Sequence, residues 1–317
     1  MFNTLKSLDK QTLPFGIGTW SLAGPIKYGK MNIGRGNINK SKIREVLTYA
    51  NTQGLNFIDT ADSYGLGKVE ESIGEILNNK DIIICTKFGN VFNNGIYYQD
   101  FSIENLKKSI NKSLRRLKRK SIDIMLFHSP PDNFPWKNYD NEALSLILKE
   151  GKVKAFGVSC KSYKGAINCM KNKFGQVLEV TYNVLDRRIE NKVLPLAKKH
   201  GYDVIIKVPL LHGMLGKRSS RSEFISGDHR LNFTDQEYNW INNARKKLSF
   251  LDELPGGMIV SALRFAMTPK QNTIVVPGIH KKEHVNMIRQ AILLGPLDNK
   301  YIKIINKTLP KTYLGWE

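Results

Sequence analysis

Short apolar runs rich in Val and Ile alternate with amphipathic segments along most of the chain. We predict strands at LPFGIGTW, LNFID, DIIICTK, SIDIMLFH, VKAFGVS, VLEVTYN, YDVIIKVP and NTIVVPG, because continuous apolar runs of this length suit strands that are covered on both faces. The segments between them have helical spacing, as in SKIREVLTYANTQG and SIENLKKSINKSLRRL. About eight strand–helix units predict an α/β fold of the (β/α)8 TIM-barrel class, a parallel barrel surrounded by helices.

The length and composition of the chain fit one domain of this kind. Its 317 residues, 41% of them hydrophobic, can bury a large core, and a single barrel over residues 1–317 needs no second domain. No apolar run reaches about 18 residues, and the opening MFNTLKSLDKQTLPFG lacks the apolar segment of a secretory signal. We therefore predict a cytoplasmic protein without membrane association, either a monomer or a small homo-oligomer.

Cysteine content and charge exclude some other classes of function. Cys85, Cys160 and Cys169 are odd in number and form no CxxC pair, which favours free thiols, and no metal site is predicted. The formal net charge is +21, but the densest basic run, KKSINKSLRRLKRK, has no interleaved aromatic residues. A solvated helix face therefore fits this run better than a specific nucleic-acid site. The same charge would attract a phosphate-bearing cofactor or substrate.

Four polar residues lie at or just past the ends of predicted strands: Asp59, Tyr64, Lys87 and His128. Each alone has an ordinary structural interpretation, since an Asp can cap a helix, a Tyr or His can pack, and a Lys can be a charge partner. In a parallel barrel, however, residues at the carboxyl ends of successive strands point into one shared mouth. The sequence therefore predicts a single catalytic site formed by these four side chains.

These residues lie in segments that closely resemble the aldo-keto reductases, namely GLNFIDTADSYGLGKVEESIGE, CTKFG, IDIMLFHSP and VKAFGVS. The similarity extends from LPFGIGTW to IVVPGIHKKEHV and so covers most of the chain. The resemblance implies an NAD(P)H-dependent oxidoreductase that reduces a small aldehyde or ketone, such as a sugar or another polar carbonyl compound, to an alcohol. The cofactor in this family is most often the 2′-phosphorylated form, so the resemblance favours NADP(H) over NAD(H) and leaves NAD(H) as the alternative.

The resemblance gives each of the four residues a role that elementary chemistry supports. Tyr64 would be the general acid, although the reference pKa of tyrosine, about 10, makes it a weak acid at neutral pH. The ammonium of Lys87 would lower that pKa, and Asp59 would keep the lysine charged and in place. His128 would donate a hydrogen bond to the carbonyl oxygen, where negative charge develops.

The positions that the resemblance assigns to the nicotinamide depart from the usual residues of the family. Ser159 keeps a usual hydroxyl, but Cys160 replaces an Asn. Glu179 replaces a Gln, and Lys207 replaces a ring-stacking aromatic residue. Because isolated buried charges are costly, we predict an ion pair between Glu179 and Lys207 on neighbouring strands. The Lys207 ammonium would repel an oxidised nicotinamide and favour the neutral, reduced ring.

The segment VVPGIHKKEHVNMIRQ resembles the loop and helix that hold the adenosine end of the cofactor. The predicted contacts are Gly278, Lys281, Lys282, His284 and Arg289. The basic side chains among them would bind the 2′-phosphate, although an exposed basic start of a helix is an equally good interpretation. The usual Glu and Asn of this helix are Met287 and Ile288 here.

Aromatic residues after strand ends are candidates for the substrate pocket, namely Trp20, Phe88 and Trp136. Aromatic side chains more often simply pack, and Trp20, directly after the first strand, is the strongest candidate. Two long connections, residues 88–101 and 211–236, would lie at the strand-end face of the barrel. We predict that they cover a ligand, because loops at that face can move without disturbing the barrel.

Two other functions fit the same sequence. The altered nicotinamide positions allow a cofactor-binding regulatory protein or pseudo-enzyme, because fold alone does not determine activity. A Schiff-base lyase would use Lys87 or Lys207 as the nucleophile if the pKa of that lysine were lowered. The complete set of four predicted catalytic residues favours the reductase over both.

Overall fold

A computed structural model describes residues 2–24, 27–28, 31–32, 34–35, 39–77, 81–93, 95–216, 220–269 and 273–311. The strands are β1 (Asn3–Leu5), β2 (Lys10–Thr12), β3 (Ile17–Gly18), β4 (Lys27–Tyr28), β5 (Met31–Asn32), β6 (Phe57–Asp59), β7 (Ile83–Phe88), β8 (Asn90–Asn93), β9 (Ile96–Gln99), β10 (Ile122–His128), β11 (Val153–Ser159), β12 (Val177–Thr181), β13 (Asp203–Lys207) and β14 (Thr273–Val275). The helices are α1 (Lys40–Thr52), α2 (Lys68–Ile76), α3 (Ile103–Leu117), α4 (Asn141–Lys149), α5 (Tyr163–Lys171), α6 (Val193–His200), α7 (Asp235–Lys247), α8 (Gly257–Ala266), α9 (Lys282–Leu294) and α10 (Asn299–Thr308).

One parallel sheet of eight strands forms the centre of the fold, in the order β14–β13–β12–β11–β10–β7–β6–β3. Parallel bridges from Phe15 to Val275 and from Gly18 to Gly278 join its two edges, so the sheet closes on itself. Helices connect most successive strands of the barrel. The predicted (β/α)8 barrel is confirmed, because closure and parallel order are the defining features of that fold.

Side chains along each strand alternate between the barrel interior and the layer beneath the helices. The interior is filled by buried apolar residues, including Phe57, Ile83, Cys85, Ile124, Leu126, Ala155, Val177, Ile205 and Ile274. Two or four positions further along the same faces, towards the carboxyl ends, come Asp59, Lys87, His128, Ser159, Glu179 and Lys207. The strand pleat alone therefore directs these six polar side chains into the mouth of the barrel.

The densest basic run of the sequence forms α3 and the turn after it. Ser102 caps the helix by accepting a hydrogen bond from the backbone N–H of Asn105 at 3.2 Å. Apolar side chains such as Leu106 and Ile110 are buried on one face, while Lys107 and its neighbouring lysines are exposed on the other. This amphipathic arrangement agrees with the solvated helix face predicted for the run.

A hairpin of β1 and β2 closes the amino-terminal end of the barrel, and the sequence did not predict it. Leu5 joins the interior apolar cluster. The Asp203 carboxylate accepts hydrogen bonds from the backbone N–H groups of Lys6 and Ser7, at 3.0 and 2.8 Å. The strands have only three residues each and are rich in polar residues, so they lack the apolar run by which the barrel strands were identified.

The two long connections lie at the carboxyl ends of β7 and β13. Residues 88–101 form the antiparallel hairpin of β8 and β9, and residues 211–236 contain several single-turn helices. Gln99 in the hairpin donates hydrogen bonds of 3.1 Å to the carbonyl oxygens of His128 and Ser129. The hairpin is thus attached beside the end of β10, and its role as a cover for a ligand stays a prediction.

The state of the cysteines and the character of the helices bear on the predictions made from composition. Cys85, Cys160 and Cys169 are free and buried, which confirms the predicted free thiols. Across the described ranges of the chain, no helix has both the length and the apolar character needed to cross a membrane.

Candidate active site

The carboxyl ends of β6, β7 and β10 bring the four predicted catalytic residues together. Lys87 is fully buried and donates hydrogen bonds to the Asp59 carboxylate and, at 3.0 Å, to the carbonyl oxygen of Thr60. Its ammonium nitrogen lies 5.3 Å from the centre of the Tyr64 ring, which lies 5.8 Å from the centre of the His128 ring. The four side chains therefore surround one space at the mouth of the barrel.

A tight turn after β6 directs Tyr64 back towards Lys87. The backbone N–H of Asp62 donates to the carbonyl oxygen of Lys87 at 3.1 Å, which ties the turn to β7. Gly67 has a φ of 93°, and a Cβ added there would lie 3.0 Å from the Arg116 side chain. Glycine is required at this position because L side chains rarely adopt such a φ. The turn thereby holds the phenol in place.

A buried charged network supports the same turn from behind. Glu70 on α2 accepts hydrogen bonds from the Thr86 hydroxyl at 2.6 Å and from Nε of Arg116 at 2.7 Å. Burial, and then the charge of Glu70, raises the pKa of Asp62 to about 7. Because Thr86 directly precedes Lys87 on β7, the network joins α2 and α3 to the strand that carries the central lysine.

A second carboxylate approaches Lys87 from another side of the barrel. Oε2 of Glu179 lies 3.3 Å from Nζ of Lys87, and the Glu179 side chain is only 2% exposed. Burial opposes the charge of Lys87, but Asp59 and Glu179 together raise the pKa of Lys87 well above its usual value. Burial and the charge of Glu179 also raise the pKa of Asp59 to about 7, against the opposing charge of Lys87. Lys87 is thus held in its charged form.

Burial has the largest effect on the ionisation of Tyr64 and His128. It raises the pKa of Tyr64 above its ordinary value, and the Lys87 ammonium only partly offsets this. The predicted effect of Lys87 therefore has the expected direction, but the net pKa of Tyr64 is raised rather than lowered. Burial, followed by the charges of Lys87 and Lys207, lowers the pKa of His128 well below its usual value. At neutral pH a protonated phenol and a neutral imidazole can each donate a hydrogen bond.

The predicted ion pair between Glu179 and Lys207 is wrong. In the register of β12 and β13, Glu179 lies opposite Ile205, whereas Lys207 lies opposite Thr181. Two residues along a strand span about 6–7 Å, so the two side chains leave the barrel wall in different layers. Glu179 pairs instead with Lys87.

The ammonium of Lys207 is held by neutral oxygen atoms. It donates to Oγ of Ser159 at 2.9 Å and to the carbonyl oxygen of Cys160 at 3.0 Å. Within the described residues, no carboxylate lies at ion-pairing distance from it. The thiol of Cys160 is buried, which raises its pKa to about 12, and Cys160 borders a cavity of about 400 Å³. Among the described residues, the direct hydrogen-bond partners of the Lys207 ammonium are therefore neutral oxygen atoms.

The residues predicted to contact the adenosine end of a cofactor gather around the start of α9. Gly278 precedes the helix, Lys281 is its N-cap residue, and no side chain caps its first turn. Lys281 and Lys282 are exposed, and Lys282 forms a 3.0 Å ion pair with a glutamate of α1. Burial lowers the pKa of His284 to about 3, and Arg289 is half-buried further along the helix. An open helix start with nearby lysines suits an anion, and the assigned contacts stay predictions.

Arg35 was not among the predicted residues, yet its guanidinium faces two glycines at the rim. Nη2 lies 2.5 Å from the position that a Cβ would take on Gly213, and Nη1 lies 3.8 Å from that position on Gly278. Arg230 approaches Gly213 as well, but it is paired with Asp228 at 2.7 Å. Among the described side chains, no carboxylate lies at ion-pairing distance from Arg35. In the sequence, Arg35 is a single arginine between two glycines, and this pattern does not indicate that its guanidinium points to the rim of the barrel.

Trp20 lies directly after β3 at the rim of the mouth and is partly exposed. Its ring centre is 5.7 Å from that of His212 and 4.1 Å from that of His229. Burial, assisted by neighbouring cationic groups, lowers the pKa of both histidines well below the usual value. The three rings form an uncharged aromatic surface, and the role of Trp20 in substrate binding stays a prediction.

The structure corrects the prediction that Phe88 and Trp136 line a substrate pocket. Phe88 follows the inward-pointing Lys87 on β7 and therefore points outwards, where its ring lies 4.7 Å from that of Phe127. Trp136 stacks on Phe174 at 4.0 Å. Both are buried in the apolar layer between the barrel and the helices, so they pack and do not face the mouth.

Comparison with known proteins agrees with the fold and identifies the family. The sequence matches the model of the aldo/keto reductase family over residues 15–310. A Bacillus subtilis protein, an uncharacterized oxidoreductase, is 28% identical over 289 residues, which cover 88% of this chain and 90% of that protein. An NADH-specific methylglyoxal reductase of Escherichia coli is 27% identical, over 68% of this chain and 69% of its own. A glycerol dehydrogenase structure from Gluconobacter oxydans superposes with a TM-score of 0.79 at 24% identity, over 99% of each chain.

Proposed function

Since the chain belongs to the aldo/keto reductase family of NAD(P)H-dependent oxidoreductases, we propose that it reduces an aldehyde or ketone to an alcohol with Tyr64 as the proton donor. The observation that carries the proposal is the position of the buried, charged Lys87, 5.3 Å from the centre of the Tyr64 ring, together with the His128 ring, whose centre lies 5.8 Å from that of Tyr64. When bound, the reduced nicotinamide supplies the hydride.

In the proposed reaction the substrate oxygen lies between the Tyr64 hydroxyl and a ring nitrogen of His128. Negative charge grows on that oxygen during reduction, and donors that are already in place stabilise it. The raised pKa of Tyr64 keeps the proton on the phenol until the substrate oxygen becomes strongly basic. Lys87 then stabilises the tyrosinate that remains, because its ammonium is charged before the reaction begins.

The residues around the mouth fit the phosphate groups of a dinucleotide. The guanidinium of Arg35 packs against Gly213 and Gly278 at the rim, and a guanidinium can bind a phosphate through paired hydrogen bonds. The open start of α9 adds Lys281 and Lys282, and for this reason we favour NADP(H) over NAD(H). The Escherichia coli relative is named as NADH-specific, so the choice needs a direct comparison of both cofactors.

Turnover with a panel of carbonyl compounds tests the proposal. Loss of the reduced-nicotinamide absorbance is followed with methylglyoxal, aldose sugars and aromatic aldehydes, each with NADPH and with NADH. We expect turnover of at least one small polar carbonyl compound and a lower KM for NADPH than for NADH. Tight binding of a cofactor without turnover of any compound would contradict the reductase and support a regulatory protein.

Lys207 is expected to make the site bind the reduced cofactor more tightly than the oxidised one. Its charge has only neutral hydrogen-bond acceptors, so it repels a cationic nicotinamide ring but not a neutral one. We expect a preference of roughly tenfold or more, which Lys207→Met should largely remove. Calorimetric titration with NADPH and NADP⁺ measures both affinities, and Lys161→Met, at an exposed neighbouring lysine, is the matched control. Equal affinities in the unaltered protein would contradict this role.

A Schiff-base lyase is disfavoured by the state of the two candidate lysines. A nucleophilic amine must be neutral, yet two carboxylates raise the pKa of Lys87 well above its usual value. Lys207 donates two hydrogen bonds, which also suits the ammonium form. Borohydride treatment with substrate is therefore expected to trap no covalent adduct.

A further inference from the structure

Glu179 contacts Lys87 but has no role among the four residues of the proposed reaction. Two strands, β10 and β11, separate β12 from β7, so Glu179 reaches Lys87 across the mouth. Asp59 approaches the same ammonium from the adjacent strand β6. The side chains of all three residues are at most 7% exposed. Lys87 is therefore enclosed by carboxylates on two sides.

The two carboxylates interact with Lys87 in different ways. The hydrogen bonds to Asp59 and to the carbonyl oxygen of Thr60 use two of the three ammonium hydrogens. Oε2 of Glu179, at 3.3 Å, accepts no hydrogen bond from the described residues and acts on Lys87 through its charge. Glu179 thus adds a counter-charge and leaves the third hydrogen available for Tyr64.

Besides Lys87 and Glu179 themselves, the ionisable groups around this contact are Asp59, Tyr64, Cys85, His128, Cys160 and Lys207. Burial, followed by the charges of Lys87 and Lys207, lowers the pKa of His128 well below its usual value, so the imidazole is neutral. Burial raises the pKa of the phenol and of both thiols, so these groups are neutral at about pH 7. The charges of the mouth then come from two carboxyl groups and two ammonium groups. Burial, and then the charge of Glu179, raises the pKa of Asp59, so two buried carboxyl groups share one ammonium. Lys87 therefore has a possible counter-charge on each of two sides.

We propose that Glu179 is a second positioning residue for Lys87, which supplies a second counter-charge across the mouth and keeps the ammonium in place beside Tyr64. The variant Glu179→Gln tests this role, because its neutral amide fills the same space without the charge. The inference rests on the proposed reduction for its kinetic test and on the contact alone for its equilibrium test.

The kinetic test compares Asp59→Asn, Glu179→Gln and the double variant over a range of pH. Each single variant is expected to lower kcat about tenfold, and the double variant by about a thousandfold or more, which exceeds the product, because only the double variant leaves Lys87 without a counter-charge. In Glu179→Gln the basic limb of the kcat profile should move down by about one pH unit, since the ammonium loses its proton more readily. In Glu179→Asp, which keeps the negative charge, the basic limb of the kcat profile should return towards its pH in the unaltered protein.

Glu150→Gln is the matched control, because Glu150 forms an exposed pair with Lys152 at 3.0 Å. Combined with Asp59→Asn it should add nothing to the effect of that variant. A double Asp59 and Glu179 variant whose loss equals the product of the single losses would overturn the proposal. An unmoved basic limb in Glu179→Gln would overturn it as well.

The equilibrium test needs no turnover. The unfolding equilibrium constant in urea is measured for the unaltered protein, Lys87→Met, Glu179→Gln and the double variant. Glu179→Gln should lower the stability of the unaltered protein more than that of Lys87→Met, because the charge interaction is already lost there. We expect the two effects on the unfolding equilibrium constant to differ by a coupling factor of about fivefold or more. A coupling factor near one would show that Glu179 and Lys87 do not stabilise each other, and it would overturn the proposal. If the protein reduces no carbonyl compound, the proposed function fails, while this cycle still decides whether Glu179 holds Lys87.

Discussion

Replacement of Tyr64 by phenylalanine is expected to lower kcat for carbonyl reduction by about 10²–10⁴-fold, which is the usual contribution of a positioned general acid. The variant keeps the ring that packs at 5.8 Å from His128 but lacks the proton that the substrate oxygen requires. The affinity for the reduced cofactor should stay unchanged, because the phenol acts in the chemical step. Steady-state kinetics and a cofactor titration on the same preparation measure both quantities.

Tyr202→Phe is the matched control for this experiment. Tyr202 is also buried, and its hydroxyl donates to the carbonyl oxygen of Phe174 at 3.1 Å. The residue directly precedes β13, at the end of the strand that lies away from the mouth. Its loss should reduce stability by about 1 kcal/mol and leave kcat unchanged. If Tyr64→Phe instead retained a normal kcat, another group would have to donate the proton and the proposed mechanism would be refuted.

Replacement of Lys87 by methionine is expected to abolish reduction and to lower the free energy of unfolding by about 3–5 kcal/mol at about pH 8, since breaking a buried ion pair leaves uncompensated charge. Asp59 and Glu179 would then face each other in a buried site without a cation. Urea denaturation measures the loss. Lys108→Met is the control, because Lys108 is exposed and forms a surface ion pair with Glu104 on the same helix, and no measurable loss is expected there.

The loss in Lys87→Met should depend on pH in a defined direction. With the lysine present, burial and Glu179 already raise the pKa of Asp59 to about 7, above the value of about 4 in the unfolded chain. Removal of the ammonium raises the pKa of Asp59 further, so Asp59 binds a proton more often in the folded variant than in the unaltered folded protein. The stability difference therefore grows as pH rises through 7 and shrinks towards about pH 5, where a protonated Asp59 needs no partner. A loss that is independent of pH would indicate packing rather than charge.

Much of the candidate active site could be predicted from local patterns. Asp59, Lys87 and His128 each end an apolar run, and a parallel barrel gathers such ends at one face. Phe88 could have been assigned correctly on the same grounds, because the residue after an inward-pointing Lys87 must point outwards. Trp136 offered no such signal, since it lies in a loop whose packing on Phe174 depends on tertiary contacts.

The contacts of the charged residues in the mouth could not be predicted in the same way. Adjacent strands suggested that Glu179 pairs with Lys207, but the register of β12 and β13 places them in different layers. Glu179 meets Lys87 across two intervening strands, a distance that no sequence pattern records. Arg35 likewise meets Gly213 and Gly278 only because the closed barrel brings three distant loops to one rim.

The sequence by itself determined the alternation of strands and helices, the barrel that follows from it, and the identity of the polar residues at the strand ends, because these depend on periodicities of a few residues. Only the tertiary structure decided which charges meet and how they ionise. Desolvation depends on every strand and loop around a group, and for this reason burial outweighs the Lys87 charge at Tyr64, and two carboxylates outweigh burial at Lys87.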